Sequence, residues 1–167
     1  MMLPSKAISL LQPWAWLVAA GHKQIETRSW YTAHRGELAI HASGGRRGDI
    51  RRLCEQDPFI RAVLAEAGLR YDTLPRGGIV GACGVVGVEQ MVEQAGVATF
   101  DLRDSRRLGE RERAFGEYAP GRFAWLLQDA RALPDLIPCP GRLQLWTMAA
   151  SVREQLGQAL SLTSLSR

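Results

Sequence analysis

Apolar and polar residues alternate along this chain in short registers separated by turn chemistry. Ala7 to Leu11 forms an apolar strand pattern that runs into Gln12-Pro13. Proline is tolerated in a first helical turn and glycine just past a helix end, so Trp14 to Ala20, followed by Gly21, predicts about two turns of helix. Gln24 to Trp30 is extended. From Glu37 to Ser43, Leu38, Ile40 and Ala42 point one way and Glu37, Ala39 and His41 the other, which predicts a strand with one buried face.

A basic turn, Gly44 to Gly48, leads into a helical stretch from about Asp49 to Ala67. Its apolar positions Ile50, Leu53 and Cys54, then Ile60, Val63 and Leu64, keep helical spacing, and Pro58 splits it in two. Gly77 to Val88 is a glycine-rich run with valines, which predicts a buried strand bent at Gly81, Gly84 and Gly87. Val97 to Pro120 interleaves Arg103, Arg106, Arg107, Arg111 and Arg113 with acids and reads as a partly helical surface excursion. Phe123 to Leu127 is a strand, and Pro134 to Gly141 carries turn chemistry leading to Leu143, Leu145 and Trp146. Val152, Leu156 and Leu160, four apart, mark a last helix over 149–160, with a frayed tail over 161–167. No repeat or Pro/Gly/Ser-rich linker divides the chain, so residues 1–167 are expected to form a single domain with its core over 6–148.

Composition narrows the chemistry. A 167-residue chain with 46% hydrophobic residues can build a core without disulfides or metal. Cys54, Cys83 and Cys139 are scattered without a CxxC pair, and His22, His34 and His41 lack metal-site spacing, so reduced thiols, no metal and no cofactor are expected. The absence of a run of about 18 apolar residues, and of a leader pattern, predicts a cytoplasmic protein without a membrane partner. The net charge of +4 rests on 19 arginines and only two lysines, Lys6 and Lys23. That balance suits anionic partners, since guanidinium groups grip phosphate in two-pronged contacts and stack on bases.

The informative stretch runs from Ser9 to Trp30. On a helix Trp14 and Trp16 lie about 200° apart, so either one faces solvent or a cleft where it stacks a base, or the two pack into different apolar layers. The free N–H groups after Pro13 form a candidate anion site. Period-two alternation puts Gln24, Glu26, Arg28 and Trp30 on one strand face, with Lys23 arriving from the preceding turn. Glu26 and Gln12 are then candidates to read polar base edges, and Lys23 and Arg28 to neutralise phosphate or a ring carbonyl; an Arg28–Glu26 ion pair is the structural alternative. Arg46, Arg47, Arg51 and Arg52 form either a phosphate-contacting edge or a solvated helix face. His41, on the strand face turned from the core, lines the same region. No GxSxG, Walker, HExxH or dinucleotide motif occurs.

The Gln12-Pro13-Trp14 start, the GxKxxExR spacing of Gly21, Lys23, Glu26 and Arg28, and the Gly36-Glu37-Leu38-Ala39-Ile40-His41-Ala42 strand together resemble the ASCH domain. Phe123 to Leu127 and Pro138-Cys139-Pro140-Gly141, ending at Leu145-Trp146, resemble the longer bacterial and phage members, so the likeness spans Lys6 to Met148. It implies an α+β fold, a PUA-like mixed β-barrel decorated with several helices, with a cleft beside the GxKxxExR segment. It also implies a domain that binds nucleic acid or a modified nucleobase and accommodates single-stranded RNA or an extruded nucleotide through Gln12, Trp14, Lys23, Glu26, Arg28, Trp30 and His41. The alternative it implies is a hydrolase of an acylated cytidine nucleoside, with Lys23 and Glu26 catalytic; the residues themselves also allow a ribonuclease working with Lys23, Arg28 and His41. The hydrolase branch carries threonine where this chain has Glu26 and takes a further carboxylate from a later strand, for which Glu89 is the candidate. A protein-interaction role for the arginine-rich excursion is the third expectation.

Overall fold

The apolar registers fold into a mixed sheet packed by helices. In this computed structural model, which describes residues 2–100 and 108–165, the chain runs β1 (Lys6–Leu10), α1 (Trp14–Ala19), β2 (Ile25–Arg28), β3 (Gly36–Ala42), α2 (Gly48–Gln56), α3 (Pro58–Glu66), a 3-10 turn (Tyr71–Thr73), β4 (Gly78–Gln94), β5 (Val97–Phe100), α4 (Glu110–Ala114), β6 (Phe123–Pro138), β7 (Leu145–Thr147) and α5 (Ala150–Leu165). The strand order is β2-β6-β4-β3-β1-β7, with β5 added to the far end of β4. The β1–β3 pairing is parallel and the others are antiparallel. The fold is therefore α+β.

The sheet does not close into the expected barrel. Among the described residues β2 and β7 stay unpaired with each other and form its two edges. Its long strands β4 and β6 slip register between Ile79 and Gly81, between Ala82 and Gly84, and between Val85 and Gly87. Such irregularities bend a strand and increase its twist, so the bending expected at Gly81, Gly84 and Gly87 is present. Both strands are longer than their apolar runs. Pro134 lies inside β6, not in a turn, between the paired residues Ala132 and Ile137, where the ladder is interrupted and no amide donor is needed.

The inner face buries Ile8, Leu10, Val18, Leu38, Ile40, Val80, Val85, Trp125 and Leu127 in one cluster. The outer face is not open to water. There Ala7, Ala39, Ile79, Ala82 and Trp146 pack against Val152, Leu156 and Leu160 of α5, three side chains whose full burial contributes roughly 1.5–3 kcal/mol each. The expectation of one buried face for β3 is thereby corrected: its alternation is as read, but both faces are covered. The helix α5 also runs through to Leu165, past the start of the expected frayed tail.

A third cluster joins Leu17 to Ile50, Cys54, Ile60, Val63, Leu64 and Phe115. The break at Pro58 is as expected, and Asp57 caps α3 by accepting from the N–H groups of Phe59 and Ile60 at 2.9 and 3.0 Å. Arg103, Arg106 and Arg107 lie outside the described residues. The rest of that segment is no simple surface excursion, since it contributes β5 and α4 and buries Phe115 completely. No helix among the described residues is long and apolar enough to cross a membrane.

Candidate nucleic-acid interface

The segment before α1 does structural work. Gln12 is fully buried; its side-chain carbonyl accepts from the Trp16 N–H at 2.9 Å, and its amide donates to the Pro75 carbonyl at 2.8 Å. The Ala15 N–H donates to the Leu11 carbonyl at 3.2 Å. Two of the donors expected to hold an anion, the N–H groups of Ala15 and Trp16, are thus already satisfied, and the fully buried Gln12 offers no edge to a base. Trp14 and Trp16 both lie half-buried on the α2–α3 cluster, which wraps α1 on more than one side. Trp16 also faces the His22 ring at 5.2 Å. Trp30 packs edge-on against Trp125 at 4.9 Å.

In β2 the alternation holds. Ile25 and Thr27 are buried on one side, while Glu26 and Arg28 take the other. Glu26 sits between two cations, 3.8 Å from Lys23 Nζ and 3.4 Å from Arg28 Nε. Thr27 turns away and donates to the Glu117 carbonyl at 2.6 Å. The expected Arg28–Glu26 pair therefore exists, and Lys23 joins it.

Lys23 is only 2% exposed. Its ammonium donates to the Ile25 carbonyl at 2.5 Å and to the Tyr118 hydroxyl at 2.9 Å. Gly116 lies so close that a Cβ there would stand 2.7 Å from Nζ. Desolvation holds the Lys23 pKa below the ordinary lysine value against the opposing pull of Glu26 and Glu112. Glu112 accepts from the backbone N–H groups of Gln24 and Ile25 at 3.2 and 3.0 Å, and from the Tyr118 hydroxyl at 2.9 Å. Burial first, then the Glu112 carboxylate, pushes the Tyr118 phenol well above its usual range. Glu112 and Tyr118 are the partners that sequence reasoning missed; with Glu26 they form the polar surroundings of Lys23.

The motif faces two separate clefts. Lys23 borders a small one of about 220 Å³ with Gly21, Gln24 and residues 127–130. Arg28 borders a larger one of about 410 Å³, together with Ser9, His41, Ser43, Gly44 and residues 141–144. In this larger cleft Arg28 Nη2 donates to the Ser9 carbonyl at 3.3 Å, while its buried Nε has no hydrogen-bond partner. Glu26 stands close enough to Nε for charge attraction but outside good hydrogen-bond geometry.

His41 is 2% exposed, not on an open face as expected, because Cys139, Gly141 and Trp146 close over it. Its Nε2–H donates to the Cys139 carbonyl at 2.9 Å. A carbonyl only accepts, so Nε2 carries the proton and Nδ1 is the acceptor of the neutral ring. That Nδ1 is buried without a partner, and desolvation lowers the His41 pKa. Trp146 packs edge-on to the imidazole at 5.7 Å and donates from Nε1 to Ser9 Oγ at 3.1 Å. Gly141 closes over both residues: a Cβ there would stand 2.5 Å from His41 Cε1 and 2.7 Å from Ser9 Oγ.

Residues 8–133 match the family described as the ASCH domain. The chain belongs to the ASCH domain family. Activating signal cointegrator 1 of Mus musculus is 23% identical over 147 residues, and the Homo sapiens protein of that name 22%; each match covers 88% of this chain and 23% of the relative. This ASCH chain thus spans under a quarter of the length of those relatives. The crystal structure of ASCH from Zymomonas mobilis superimposes with a TM-score of 0.50 at 14% identity, covering 92% of this chain and 93% of that one. At that identity the likeness concerns the fold.

The family match in this ASCH domain ends before Cys139, Gly141 and Trp146, the residues that hold His41 and close one wall of the larger cleft. The arginines after β3 are largely matched by acids. Arg46 and Arg51 pair with Asp72 at 3.5 and 2.7 Å, and Arg47 pairs with Asp49 at 2.7 Å. They form a charged, solvated helix face of modest net field.

Proposed function

We propose that this ASCH domain binds nucleic acid by taking one nucleotide, from single-stranded RNA or extruded from a helix, into the cleft walled by Arg28 and His41. One observation carries this reading: a donor, Arg28 Nε, and an acceptor, His41 Nδ1, both lack partners beside a cleft of about 410 Å³. Buried polar groups are generally satisfied; Arg76 and Trp125 also carry unpartnered atoms, but of these residues only Arg28 and His41 bring theirs to one cleft, whose volume is in the usual range for small-ligand sites. Arg28 supplies a guanidinium for a phosphate or a ring carbonyl, and His41 accepts from a base N–H. The exposed Arg142 on the rim adds a phosphate contact, and Glu26 holds Arg28 in place.

Titration with short single-stranded RNA at two salt concentrations, followed by tryptophan fluorescence, tests the reading. Arg28→Met is expected to weaken binding about tenfold or more and to lower the salt dependence by about one phosphate contact. Equal binding by a folded Arg28→Met protein would refute it. The buried Lys23, with its lowered pKa, supports the alternative of a hydrolase acting on an acylated cytidine nucleoside, or of a ribonuclease, working from the smaller cleft. That alternative requires turnover that disappears in Lys23→Met.

A further inference from the structure

We propose that Leu143 is a wedge, and that the nucleotide entering the Arg28 cleft is one displaced from a helical stem, with Leu143 filling the gap left in the stack. The proposal rests on the nucleotide-binding reading above. Leu143 is 92% exposed, more than any other large apolar side chain among the described residues. A single exposed leucine is ordinary on a protein surface; its setting here is not. It stands on the rim of the cleft between the exposed Arg142 and Gln144.

The loop that carries it is fixed at both ends. Before Leu143, the Cys139 N–H donates to the Gly77 carbonyl at 3.2 Å, the Cys139 carbonyl holds His41, and Gly141 is seated on His41 and Ser9. After it, Gln144 adopts a left-handed φ of 57°, which side-chain-bearing residues avoid, and Leu145 then pairs with Ile8. Backbone strain of this kind persists only where surrounding structure enforces it. The result is an exposed apolar side chain on a loop whose backbone is anchored on both sides, with a guanidinium before it and an amide after it in the chain. Apolar side chains inserted between base steps unstack them, and an extruded nucleotide then needs a pocket beside the wedge. The Arg28 cleft is that pocket, and the Arg142 and Gln144 side chains reach the phosphate and the unpaired partner base.

The test uses RNA and DNA hairpins with 2-aminopurine at a single mismatch in the stem, since a mismatched base costs least to displace. Wild-type protein is expected to raise 2-aminopurine emission about threefold or more as the base leaves the stack. Leu143→Gly is expected to abolish most of that rise even at protein concentrations that saturate the stem, and Leu143→Met to restore it. Stem binding by wild type without a rise, or an equal rise with Leu143→Gly, would overturn the wedge and leave the binding reading intact. Binding to neither single strand nor stem would overturn both. A rise with one sugar only supports the wedge and identifies its target.

Discussion

Replacing Gly141 with alanine should damage fold and cleft together. The new methyl would stand 2.5 Å from His41 Cε1, 2.7 Å from Ser9 Oγ and 2.8 Å from His41 Nδ1, against an optimum of about 3.5–4.0 Å for carbon contacts. About 1 Å of displacement is needed. Neither neighbour swings aside freely, because the Cys139 carbonyl holds His41 at 2.9 Å and Trp146 holds Ser9 at 3.1 Å. The loop must therefore move. Overpacking of this kind costs about 1–3 kcal/mol, which for a domain of this size lowers the melting temperature by roughly 2–12 °C. Thermal unfolding measures the first effect, and RNA titration the second, a weakened affinity. Gly48→Ala is the control: nothing lies within 4 Å of its new methyl, and its stability should stay within about 0.5 kcal/mol of wild type. If Gly141→Ala matched that control in both stability and binding, the account of the cleft wall would be wrong.

Glu112→Ala removes the acceptor for two backbone N–H groups and the Tyr118 hydroxyl; a loss of about 2–4 kcal/mol is expected in urea unfolding, with Glu112→Gln in between, and a change under about 0.5 kcal/mol would remove this role. The His41 pKa is held below its ordinary 6.5 by burial. As pH falls below about 6.5 the unfolded chain binds a proton that the folded chain does not, so this stabilisation is complete above that pH and declines as pH falls toward the folded value. His22 is shifted the same way, so stability against pH is best measured in a His22→Gln background. There His41→Gln should flatten the acid-side decline, and a parent curve already flat over that range would contradict the assignment.

The local elements were legible because their causes are local. Period-two alternation gave β3 its two sets of residues, Pro58 divided the helices, and the glycines of β4 marked its bends. Partnership across long stretches of chain was not legible. Alternation put His41 opposite Leu38 and Ile40, but only the docking of the segment from Cys139 to Trp146 decides that His41 is buried. Val152, Leu156 and Leu160 announced a helix without saying which sheet face it would cover. Gln12 read as a base-reading residue because nothing in its neighbourhood reveals the Pro75 carbonyl. Glu112 and Tyr118 were hidden for a different reason: mixed arginines and acids look alike whether they face water or fold over a lysine. The GxKxxExR segment was recognisable, yet its division between two clefts follows from the curvature of the sheet and the return of residues 109–118.

The pairing of Ala7 with Trp146, beside Ser9 and His41, bears on the order of events during synthesis. Chains are made from the N-terminus and domains fold as units. Arg28 and His41 are made early, but the wall that seats His41 begins at Cys139, 98 residues after it. Until β7 has been made and docked on β1, the cleft lacks Gly141, and His41 lacks Trp146 and the Cys139 carbonyl. A nascent chain that ends before Thr147 thus carries the recognisable motif without a finished cleft, and on the proposed function RNA binding would be a sign that translation has passed that point.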